Sequence, residues 1–272
     1  MLKRKAMQKL IDWQEHSQGS TAILLEGARR VGKSTLVEAL GRERYDSFIL
    51  VDFSELPSPV RRIFEDERDD LDTFFMLLSA YYRTRLHARR SLVVFDEVQR
   101  YPAAREMIKR LVADGRYDYI ETGSLISIRQ NVKDILIPSE EHAVALEPLD
   151  FEEFCWAMGE ELLSEAIAHA FDTQRALPDA LHKRAMRLWR EYLLVGGMPQ
   201  AVVRYVKTRD FGAVDVVKRD ILALYRNDIG KFAGSDAPAG TSVSGIAGSA
   251  MVAGAAVLIC LAGGFFRKKK AS

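Results

Sequence analysis

Through the first 150 residues, apolar positions alternate between short unbroken runs and stretches where they fall three and four apart. The runs at 21–25, 48–52, 91–95, 118–124 and 142–149 predict five strands, with Pro148 closing the last. The unbroken Phe48-Ile49-Leu50-Val51 run suits a parallel strand buried on both faces. Helical spacing covers 3–16, 33–42, 71–87 and 102–114. Leu36, Val37 and Leu40 share a face of the second of these, and Phe74, Phe75 and Leu78 a face of the third. Residues 54–59 read as a loop. From 150 onward the strand signals stop, and helices are predicted over 151–158, 161–171, 181–195, 201–206 and 211–232, broken by Gly196-Gly197-Met198-Pro199. The expected class is α/β: an αβα sandwich on a parallel five-stranded sheet over 1–149, then a helical lid over 150–233.

Between the first strand and its helix lies Gly27-Ala28-Arg29-Arg30-Val31-Gly32-Lys33-Ser34-Thr35, which fits the phosphate-binding pattern G-x-x-x-x-G-K-[ST]. Nucleotide phosphates need a concave row of backbone N–H donors at a helix start. Gly27 is expected to free the turn out of the strand, and Gly32 to let the backbone close on the phosphates. Lys33 is placed to reach the β- and γ-phosphates, Ser34 to ligate Mg²⁺, and Thr35 to bond the α-phosphate. These residues predict a P-loop NTPase.

A second pattern follows. The run 91–95 ends in Asp96-Glu97, with Asp96 directed to the Mg²⁺ shell and Glu97 placed as general base for an attacking water. Two adjacent acids favour hydrolysis over phosphoryl transfer. At the end of 118–124, Thr122 or Ser124 could sense the γ-phosphate. Asp52 ends the second strand, and a cap for the next turn is its expected role. Arg100, Arg105 and Arg110 lie on or near the 102–114 helix. Each is read first as part of a solvated face, with an arginine acting in trans on a second copy as the alternative. The five histidines share no metal-ligand spacing.

Net charge is +1, but residues 267–270 carry four positive charges, which leaves 3 net negative charges on 1–266. That balance argues against a broad nucleic-acid surface without excluding a local one. Cys155 and Cys260 have no CxxC partner and fit a reducing compartment, so the body is expected to be cytoplasmic. ATP with Mg²⁺ is the expected ligand pair and ATP hydrolysis the expected activity. A nucleotide-dependent switch with negligible turnover and a DNA-handling helper ATPase stay open.

Several stretches together resemble one bacterial and archaeal family of AAA-type ATPases. They are the phosphate loop, Phe95-Asp96-Glu97-Val98-Gln99, Thr122-Gly123-Ser124, Leu149-Asp150-Phe151-Glu152-Glu153-Phe154 and Tyr192-Leu193-Leu194-Val195-Gly196-Gly197-Met198-Pro199. The resemblance covers about 3–233 and implies ATP binding and hydrolysis on Lys33, Ser34, Asp96 and Glu97, followed by a C-terminal domain of unknown function. Beyond Ala233 the chain reads as a Gly/Ser/Ala/Pro linker over 234–242, then an uncharged run over 243–266 and the basic end. This tail resembles the end of a Gram-positive wall-sorting signal, without its Leu-Pro-x-Thr-Gly site. It is expected to form a hydrophobic helix that stays out of the core, either anchoring 243–270 in a membrane or hanging loosely. A gene fusion that replaced the family's C-terminal domain is the favoured origin.

Overall fold

The computed structural model describes residues 1–124 and 141–233. The expected strands are β1 (Ala22–Gly27), β2 (Ser47–Asp52), β3 (Ser91–Asp96), β4 (Asp118–Gly123) and β5 (Glu141–Leu146). They form one sheet in the order β2-β3-β4-β1-β5, every pair parallel. β1 and β2 are consecutive in the chain but not neighbours, because β3 and β4 lie between them. The chain therefore leaves β1 toward one edge and later adds β5 on the other side. Parallel sheets bind ligands at the carboxyl ends of strands beside such a reversal.

One face of the sheet carries α1 (Lys5–Ser17) and α2 (Lys33–Arg44), whose Leu10, Trp13, Leu36, Val37 and Leu40 pack with Ile23, Leu25, Val94 and Ile120. The other face carries α3 (Ser58–Asp66), α4 (Leu71–Tyr82) and α5 (Pro102–Asp114). There Phe64, Phe74, Phe75, Ile108 and Leu111 pack with Leu24, Val51, Val93 and Phe95. Each such fully buried side chain contributes about 1.5–3 kcal/mol relative to exposure. The aromatic stripe of α4 is core: Phe74 meets Phe64 and Phe75 edge-on, with centroids 5.0 and 5.1 Å apart.

Two expectations need correction. The loop expected over 54–59 holds a 3-10 turn, Phe53–Glu55, and the start of α3. Pro57 and Pro59 open that helix rather than break it, since its first turn needs no proline N–H. The helix expected over 71–87 stops at Tyr82, where Arg83 turns left-handed at φ 51° and its N–H bonds the Ala80 carbonyl.

Beyond β5 run α6 (Phe151–Ala157), α7 (Glu161–Asp172), α8 (Asp179–Val195), α9 (Pro199–Thr208) and α10 (Phe211–Ala233). They enclose a third apolar cluster that includes Leu149, Phe154, Leu188, Val195, Val202 and Tyr205. Residues 1–219 form one compact unit. Among the described residues no helix is long and apolar enough to cross a membrane. The linker 234–242 and the hydrophobic segment 243–270 lie outside the described residues.

Candidate functional site

The motif residues meet where β1, β3 and β4 end. Gly27 is the last residue of β1 and pairs with Leu146. Its φ is not the reason for a glycine: a Cβ there would lie 2.4 Å from the Leu146 carbonyl oxygen and 3.0 Å from Val31 Cγ1. The obstruction that a side chain would meet at the exit from β1 comes from β5 and from Val31 of the loop itself. Gly32 differs. It begins α2 with φ 99°, a left-handed conformation that penalises any side chain, and a Cβ would find room.

Lys33 is 5% exposed and curls over the loop, donating to the carbonyls of Gly27 at 3.0 Å and Ala28 at 3.2 Å. Burial lowers the pKa of its ammonium; Glu97 and Asp96 oppose that shift and Arg29 adds to it. Ser34 donates its hydroxyl to Asp96 Oδ2 at 2.7 Å. Thr122, fully buried at the end of β4, donates to the other oxygen, Asp96 Oδ1. The Glu97 N–H donates back to Thr122 Oγ1 at 3.3 Å. Thr122 thus lies against the Asp96 carboxylate, and Ser124 follows just beyond the strand. Glu97 stands at φ 57° and accepts a 2.6 Å bond from Gln99 Nε2. A hydroxyl and a carboxylate oxygen this close form a hard-oxygen donor pair of the kind that suits Mg²⁺.

The remaining candidates separate. Asp52 caps the turn after β2, accepting from Ser54 N at 2.7 Å. Arg105 is not on a solvated face: it is 2% exposed and pairs with Glu141 at 3.0 Å. That burial also removes it from any role in trans. Arg110 is exposed and bonds Asp69 at 2.8 Å, while Arg100 is exposed. Burial pushes the Cys155 thiol up to about 11, which makes it a poor nucleophile.

Sequence patterns left several neighbouring residues unassigned. Arg4 is buried beneath the phosphate loop and bonds Glu153. Glu153 closes a capping box with Asp150 at the start of α6, so an acid three residues after an aspartate was its local signal. Gly197 is close-packed in the same way as Gly27: a Cβ there would lie 2.2 Å from the Leu149 carbonyl oxygen, while Leu149 N–H donates to Gly197 O at 2.7 Å. Beside Gly32 and Thr35 opens a cavity of about 420 Å³ with a mainly apolar lining that includes Leu2, Leu36, Pro199 and Val203, with Arg204 and Lys207 also on the wall. Arg30 Nη1 bonds Gln200 Oε1 at 3.1 Å, linking the loop to α9.

Residues 19–155 match the AAA domain. The chain belongs to the AAA family of P-loop ATPases. Residues 186–242 of this AAA protein match a domain of unknown function, a match that runs past Ala233 through the expected linker. No curated protein matches the chain. Among solved structures it is similar to replication initiator DnaA bound to AMPPCP and single-stranded DNA, with 12% identity, a TM-score of 0.45 and coverage of 81% of this chain and 67% of that one. It is similar to PCH-2 of C. elegans, with 11% identity, a TM-score of 0.41 and coverage of 81% and 68%. The Aeropyrum pernix ORC2 protein in ADPNP-ADP complexes shows 16% identity, a TM-score of 0.38 and coverage of 67% and 66%.

Proposed function

We propose that this AAA protein binds ATP with Mg²⁺ and hydrolyses the terminal phosphate. The supporting observation is the convergence of Lys33, Ser34, Asp96, Glu97 and Thr122 at three neighbouring strand ends. In this reading the backbone N–H groups of Gly27 to Thr35 cradle the phosphates, and Lys33 exchanges its loop carbonyls for β- and γ-phosphate oxygens. Ser34 and Asp96 hold the Mg²⁺ ion, with Thr122 fixing the second Asp96 oxygen. A bound ion would supply neutralisation of the charge on the phosphates. Glu97 orients the attacking water and takes its proton. The purine enters the apolar cavity between Leu2, Leu36, Pro199 and Val203, next to Thr35. α9, which supplies Pro199 and Val203, then serves as part of a lid over the core formed by 1–149.

Lys33→Ala tests the reading. ATP affinity should fall at least about 100-fold, on the scale of losing charge-assisted bonds to two phosphates. Equal affinity in parent and variant would remove the phosphate loop from the mechanism.

One observation favours a second reading, a nucleotide switch with negligible turnover: Glu97 is held by the Gln99 amide at 2.6 Å. Tight ATP binding without phosphate release, together with release restored in Gln99→Ala, would select the switch.

A further inference from the structure

Arg4 lies outside every motif, yet it makes the most connected buried contact near the phosphate loop. It precedes α1, and its side chain is 7% exposed. Its guanidinium reaches three elements. Nη1 donates to the Val31 carbonyl in the phosphate loop at 3.1 Å. Nη2 donates to the Glu147 carbonyl just after β5, and Nε donates to Glu153 Oε1 on α6 at 3.2 Å. Glu153 is itself fully engaged: Oε1 also accepts from Lys5 N at 2.7 Å, and Oε2 accepts from Asp150 N at 3.3 Å.

The Val31 contact has a directional consequence. A trans peptide is planar, so its C=O and N–H point in opposite directions. The peptide whose carbonyl Arg4 holds is the one that carries the Gly32 N–H. Anchoring the Val31 oxygen toward Arg4 therefore turns the Gly32 N–H away from Arg4. Gly32 has no side chain to restrict its backbone, so this peptide gains from an external anchor.

We propose that Arg4 is a positioning residue of the phosphate loop, which fixes the Val31–Gly32 peptide for phosphate binding and is itself locked by Glu153 on α6. The proposal rests on the nucleotide reading above and adds a link to it. The Asp150-Phe151-Glu152-Glu153 stretch acts on the phosphate site through Arg4. A planar fork with donors in three directions is required, and an ammonium lacks that geometry.

The test is Arg4→Lys, which keeps the charge and reach to Glu153 but loses the fork. ADP and adenosine affinities are measured on parent and variant alongside cooperative melting. The ADP affinity of Arg4→Lys should fall about tenfold or more, the scale of one charge-assisted hydrogen bond, and by at least about fivefold more than adenosine affinity, since Arg4 also lines the cavity beside Gly32. A purely structural role would lower the melting temperature and leave the ratio of the two affinities alone. Glu153→Gln should weaken ADP in the same sense, and the double variant should lose less than the sum of the two. ADP binding by folded Arg4→Lys within twofold of the parent overturns the proposal while the nucleotide reading stands. Absence of ADP binding by the parent sinks both. Should both variants fail to fold, the Arg4 Nε–H signal of the parent protein decides by NMR. It should shift more with ADP than with adenosine, and an ADP-bound protein without that difference overturns the proposal.

Discussion

Glu121 and Thr122 are neighbours on β4, and the pleat sends them to opposite faces of the sheet. On one side Thr122 joins Asp96, Ser34 and Glu97, where every carboxylate described has a hydroxyl or amide partner. On the other side Glu121 is 0% exposed beside Arg105 and Glu141. Among the described residues, neither of its oxygens as a carboxylate has a donor, and Arg105 Nε and Nη1 lack acceptors. Protonated, Glu121 can donate to Glu141 instead, and burial beside that acid holds its carboxyl well above the usual range. The same kind of residue thus does different work according to depth. At a strand end, acids keep matched partners and a route to ligand. Mid-strand, an acid costs stability unless it holds a proton.

Four measurements break or sharpen this contrast. Glu97→Gln should cut phosphate release by about 10²–10⁴-fold while ATP stays bound, since only the base is lost. Parent-like hydrolysis would place Glu97 with the structural acids. Arg105→Met should destabilise by about 3–5 kcal/mol in denaturant unfolding, because it strands two buried carboxyls. A mild loss would mean that solvent reaches the cluster. Thr122→Val should weaken Mg²⁺-dependent turnover about tenfold or more, the scale of one hydrogen bond to a charged group, and leave Mg²⁺-free nucleotide affinity intact. Equal losses with and without Mg²⁺ would detach Thr122 from Asp96.

The smallest effect concerns pH. The Glu121 pKa is raised in the fold above its unfolded value near 4.5. The folded state therefore binds more protons than the unfolded state above that pH. Its contribution is fully present below the unfolded pKa and is lost as pH rises toward the folded one, at up to about 1.4 kcal/mol per pH unit. Glu121→Gln should flatten this slope in denaturant melts as pH rises above the unfolded value near 4.5. An unchanged profile would show that Glu121 titrates normally.

Much of the site was legible because its signals are local. A phosphate loop occupies nine consecutive residues, and an apolar run ending in Asp96-Glu97 announces both a strand and the acids at its end. The capping box at Asp150 and Glu153 was equally local. Its partner Arg4 was not, being 149 positions away from Glu153. Arg105 misled because a charged residue on an amphipathic helix is ordinarily solvated, and only packing against β5 reveals Glu141. The helix Ser58–Asp66 stayed hidden because two prolines and a run of charges mask its three buried residues, Val60, Ile63 and Phe64.

By itself the sequence determined the number and type of most elements, the phosphate-loop motif and the membership of a five-stranded α/β class. Those follow from periodicity, turn residues and short-range hydrogen bonding, which act over a few residues. Tertiary structure decided the strand order that brings β1, β3 and β4 together. It also decided why Gly27 and Gly197 must be glycines, which acids are partnered, and how Arg4 ties α6 to the phosphate loop. These depend on which distant surfaces exclude water from one another, and no local pattern encodes that choice.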